Sequence, residues 1–103
     1  MKLHESLRKI IRQFGTNVLS EKRLLFILSD FRAFEEYPAL KQVFEAIVST
    51  GAGKELMRLS LDDDRAGCIS YAQNLKKSLT EQRHFREDLA EYAAGSILFG
   101  LGV

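Results

Sequence analysis

Three groups of residues in this 103-residue sequence have the types that chemistry uses. The run Ser49-Thr50-Gly51-Ala52-Gly53-Lys54 invites comparison with a phosphate-binding loop. Such a loop needs a glycine six positions before its lysine, a Ser or Thr directly after it, and a strand in front. Val48 and Glu55 occupy the first two positions and a helical pattern precedes, so the glycines read as the stop of one helix and the start of another. The acidic run Asp62-Asp63-Asp64 has the ligand type for a hard cation, but no Glu stands near position 73 to close a calcium loop. Carboxylates in the first turn of a helix are themselves stabilising, by roughly 0.3 to 1 kcal/mol each. His4, His84 and Cys68 have no second ligand at a metal-binding spacing, and only a fold that joined a histidine to Cys68 would make a nucleophile pair. The sequence therefore assigns no catalytic residue, metal or cofactor, and predicts a protein that is not an enzyme.

Two further sets suit binding. Arg8, Lys9, Arg12, Lys22 and Arg23, with Lys2 and Arg32, lie on the first two helical patterns and would be the phosphate contacts of a nucleic-acid reading. Residues 1–32 hold seven Lys/Arg and three acids, while residues 33–103 hold eight and eleven, so the whole chain is only +1. That asymmetry falls short of a dedicated nucleic-acid binder. The second helical pattern is also too apolar to lie in a groove. The rings Phe31, Phe34, Tyr37 and Phe44 cluster around Pro38, where they plug one end of a bundle or line a groove for a partner helix or peptide.

These side chains must be positioned by helices. Leu3, Leu7, Ile10, Ile11 and Phe14 recur at helical spacing, and Gly15 ends that pattern. Ser20 reads as the N-cap of a second helix running through Leu24, Leu25, Ile27 and Leu28 to about Phe31. Pro38 opens a third, with Leu40, Val43, Phe44, Ile47 and Val48 on its apolar side. A short fourth spans Gly53 to Leu59, and the acidic run caps a fifth whose stripe is Ile69, Ala72, Leu75 and Leu79. From Phe85 to Val103 a sixth pattern becomes apolar all round, so it must be buried in its own domain or against a partner. Ile97, Phe99 and Leu101, with Phe34 and Tyr37, are the candidate partner-binding residues. A glycine inside a helix costs about 1 kcal/mol relative to alanine, so Gly95 among Ala90, Ala93, Ala94 and Ser96 implies close helix packing.

No segment alternates long enough to be a strand. The expectation is all-α: one domain, residues 1–103, forming a compact irregular bundle of five to six helices with antiparallel neighbours. The single cysteine excludes an internal disulfide and suits a reducing cytoplasm. The charged opening segment lacks the apolar core of a secretory signal, and the apolar tail from Ala93 to Val103 is shorter than the about 20 residues that span a bilayer. A cytoplasmic protein without membrane contact is expected, working through a protein partner or self-association.

The string from Ile11 to Arg23, IRQFGTNVLSEKR, resembles the opening of a small helical module of uncharacterised bacterial proteins. Leu28-Ser29-Asp30, Ala33-Phe34, Tyr37-Pro38-Ala39-Leu40-Lys41, Tyr92-Ala93-Ala94-Gly95-Ser96-Ile97 and Gly100-Leu101 extend the likeness. The resemblance implies an adaptor or regulatory role beside other domains, and attaches no activity to any residue.

Overall fold

The computed structural model describes residues 2–103, so Met1 lies outside the described residues. The fold is all-α. Six α-helices follow one another among those residues: α1 (Leu3–Phe14), α2 (Arg23–Asp30), α3 (Leu40–Ser49), α4 (Ala52–Leu61), α5 (Arg65–Glu81) and α6 (Glu87–Leu101). A 3-10 turn, Thr16–Ser20, joins α1 to α2. The molecule measures 32 × 32 × 19 Å. Its short axis is room for two layers of helices, each about 10 Å thick.

Local chemistry sets most boundaries. Gly51, at φ 80° and ψ 9°, takes the left-handed turn that separates α3 from α4. Thr50 donates its hydroxyl to the Ala46 carbonyl at 2.9 Å, satisfying an acceptor at the end of α3. Asp64 caps α5 by accepting the Gly67 N–H at 2.9 Å. Asp62, at the end of α4, accepts from Arg58 at 3.2 Å. The acidic run is thus divided between the end of one helix and the start of the next.

Four sequence expectations are corrected. Ser20 does not cap α2; its hydroxyl donates to the Asn17 carbonyl at 2.8 Å inside the 3-10 turn, and α2 begins at Arg23. Pro38 lies before α3, in a turn closed by Leu40 N–H to Tyr37 carbonyl and Lys41 N–H to Pro38 carbonyl. On α5 Cys68, not Ile69, faces inward: the cysteine is fully buried and Ile69 is exposed. Phe14 is also exposed, because α1 ends there and only Leu3, Leu7, Ile10 and Ile11 reach the core.

One apolar cluster draws on every helix, with Phe44, Leu7, Ile10, Leu28, Ile47, Leu56 and Ile97 fully enclosed. Helices α5 and α6 pack antiparallel. Lys76 of α5 reaches Glu87 and Glu91 near the start of α6, while Cys68 lies beside Leu101 at its end. The most extensive contact, α1 on α6, is parallel. His4 meets Tyr92, Arg8 meets Phe99, and Leu7 and Ile11 meet Gly100, so the two helices ascend together.

Close approach is made by Gly100 and Gly53, not by Gly95. A β-carbon at Gly100 would lie 2.9 Å from Ile11 Cδ1 and 3.4 Å from the Leu7 backbone. At Gly53 it would lie 2.1 Å from the Leu19 carbonyl oxygen, so only glycine lets α4 rest on the 3-10 turn. Gly95 faces solvent with nothing within 4 Å. Gly53→Ala is accordingly expected to destabilise the fold by about 1–3 kcal/mol through overpacking. Gly95→Ala, in the middle of a helix, should stabilise by up to about 1 kcal/mol. Urea denaturation of the two variants checks both signs.

Candidate functional site

The sequence-derived sites are dispersed by the fold. Ile97 has no exposed surface and Phe34 is 8 % exposed, its ring packed against Phe44 at 6.1 Å between centroids. Both belong to the core and cannot receive a partner; the helix spacing that singled out Ile97 reports burial inside this chain, and Phe34 takes the other role open to the ring cluster around Pro38, packing inside the bundle. Leu101 is half-buried on the side of α6 that meets α5, beside Cys68 and Val103. Tyr37 is exposed but sits apart, edge-on to Tyr92 at 6.3 Å, in a cleft of about 270 Å³ that also holds Lys2, His4, Glu36 and Asp88.

Phe99 alone of the partner-binding candidates joins the cationic set. Burial of Leu3, Leu7, Ile10 and Ile11 turns Lys9 and Arg12 to solvent, with Arg8 at the edge of the apolar stripe nearest α6. Arg8 lies over the Phe99 ring, 5.1 Å from its centroid, and His4 meets the same ring edge-on at 5.0 Å. Glu5, Arg8, Lys9, Arg12 and Phe99 line a shallow depression of about 510 Å³ between α1 and the end of α6.

The face continues onto α2. Lys9 lies over Phe31 at 5.9 Å, and Arg23 over Phe14 at 5.5 Å. Such pairs contribute about 0.5–1 kcal/mol at exposed sites, enough to hold the long cations against the surface. Arg23 is also held by Glu21, and Lys22 is exposed just before α2. Phe26 is one turn from Arg23 on the same side of α2 and is 72 % exposed, the most exposed large apolar side chain among the described residues.

Sequence reasoning passed over Phe26. Its signal was present: Leu24 to Leu28 are apolar at five consecutive positions, and an α-helix on a surface cannot bury them all. Leu24 and Leu28 point inward, which turns Phe26 out.

Other chemistry-bearing residues are not brought together. His84 sits between α5 and α6 at φ 61°, and His4 lies against α6 rather than near Cys68. Burial first, and the Asp64 carboxylate second, push the Cys68 thiol up, opposite to what a nucleophile needs. No group of three His, Cys, Asp or Glu side chains is placed to hold a metal among the described residues. No helix there is long and apolar enough to cross a membrane. Comparisons with family models, with curated proteins and with solved structures find no match.

Phe99 and Ile97 are two residues apart on α6 but differ sharply in exposure, 39 % against none. Ile97→Asp is expected to unfold the domain, because it buries an unpaired charge in the core. Phe99→Asp should leave a folded helical protein. Circular dichroism and a thermal melt of both variants separate a core position from a surface one.

Proposed function

We propose that this chain is a non-catalytic protein-interaction module whose contact surface is the face formed by α1, α2 and the end of α6. The observation that carries this reading is Phe26, 72 % exposed beside a helix whose cations lack partners. Among the described residues no ion pair involves Arg8, Lys9 or Arg12, and the three stand together in the lining of the depression between α1 and α6. An exposed ring on α2 and unpaired cations on the neighbouring α1 give a partner both apolar area and charge to match, the combination found at interaction surfaces. The adaptor role implied by the resemblance to small bacterial helical modules agrees with it. A cytoplasmic setting belongs to the same proposal.

A second reading, contact with nucleic-acid phosphates, is favoured by one observation. Arg23, stacked on Phe14, continues the cations of α1 onto α2, where Lys22 stands beside it.

Photo-cross-linking in cells tests the two together. A benzophenone residue replaces Phe26, Arg12 or, as a control outside this face, the exposed Ile69 on α5. Discrete protein adducts from positions 26 and 12, but not 69, persisting after nuclease treatment, are expected. Adducts lost on nuclease treatment would move the function to nucleic acid. Adducts absent from 26 and 12, or equal from all three, would contradict both readings.

A further inference from the structure

Resting on the interaction-face reading, we infer that the occupant of the depression between α1 and α6 is an acidic helical segment of a partner protein, carrying carboxylates at i and i+4. The lining holds three cations and one acid. That acid, Glu5, is engaged at the start of α1, where it accepts the Lys2 backbone N–H at 3.2 Å. None of Arg8, Lys9 and Arg12 forms an ion pair with it or with any other acid among the described residues, so the lining keeps an excess of positive charge and a partner that fits brings negative charge.

The spacing of those cations selects the form of the partner. Arg8 and Arg12 are four residues apart on one helix, about 6 Å along its axis. Carboxylates at i and i+4 on a second helix repeat that interval, so two guanidinium–carboxylate pairs form in register. The exposed edge of Phe99, at the wall of the depression, offers an aliphatic side chain on the same segment a contact.

Two observations favour this occupant over a nucleic acid. The positive run is short. Toward the start of α1 the neighbouring cleft sets Glu36 and Asp88 against the single cation Lys2, and toward α2 Arg23 is already held by Glu21, which leaves Lys22 as the one unpaired cation there. A strand with a phosphate every ~3.4 Å would meet those acids within a few nucleotides. The rings are also partly occupied: Phe99, Phe31 and Phe14 each carry a cation over one face, which leaves less platform for a stacked base.

The test uses the full chain and labelled synthetic probes read by fluorescence anisotropy at low salt. The first probe is a helix-forming peptide of about 15 residues, a length that retains some helix in water, with Glu at i and i+4 and a flanking Leu. The second has the same composition with the glutamates two apart, on different sides of the helix. The third is a single-stranded oligonucleotide of equal charge. Binding of the first about tenfold tighter than the second, weakening as salt rises, is expected from two added ion pairs. Replacing both Arg8 and Arg12 by Ala should remove that preference while circular dichroism stays unchanged, and Lys22→Ala should keep it. Equal binding of both peptides, no peptide binding, or tighter binding of the oligonucleotide would overturn the inference. If the cross-links from positions 26 and 12 persist while the peptides fail, the interaction face stands and only the acidic helix is lost.

Discussion

The contact on which the rest depends is the seating of Leu7 and Ile11 against Gly100. With glycine there, α1 lies close along the end of α6; a β-carbon at that point would displace the tip of the Ile11 side chain and come into contact with the Leu7 backbone. The close fit fixes which residues share a surface. It brings Arg8 over Phe99, sets His4 beside Tyr92, and leaves Lys9 and Arg12 as the outer row. A small shift of α1 would uncouple the cations from the ring, and the depression would lose one wall. The first helix and the last are far apart in sequence, so this surface exists only in the folded chain.

The residue pattern made the helices legible and the surfaces much less so. Spacing of Leu3, Leu7, Ile10 and Ile11 marked the buried side of α1, and the glycine at position 51 marked the break before α4, because both effects act within a turn of the chain. Of the acidic run read as the cap of α5, Asp64 takes that place, for the same reason, while Asp62 belongs to the end of α4. The misreadings share a different cause. Ile69 and Cys68 are adjacent and both apolar, and only the arrival of α6 decides which is enclosed. Gly95 and Gly100 both sit within α6, but only Gly100 meets another helix. Ile97 on an apolar stripe and Phe34 in a cluster of rings were offered as partner contacts because neither pattern marks whose elements cover it; here other elements of the same chain do.

The directions of the helices follow the same division. Helices α5 and α6, joined by a short turn, run antiparallel, as a short connection favours. The parallel pairing of α1 with α6 has no local cause, since it follows from how the intervening helices return the chain. That pairing sets part of the cationic end of the sequence, residues 1–32 with four more basic than acidic side chains, against a helix from the acidic remainder. Ion pairs do not hold the two helices together: the close contact is Leu7 and Ile11 on Gly100, with Arg8 over the Phe99 ring, and Arg8, Lys9 and Arg12 form no ion pair among the described residues. The stability of the pairing and the availability of those cations therefore rest on different side chains of the same helix.

The most direct measurement is a nuclear Overhauser experiment on methyl-labelled protein, reading the Gly100 α-protons against the methyl groups of Leu7 and Ile11. Strong cross-peaks from Gly100 to both residues are expected, together with contacts between the His4 and Phe99 rings. Gly100 showing no contact with α1, while the helices remain formed, would contradict the parallel seating and with it the origin of the cationic face.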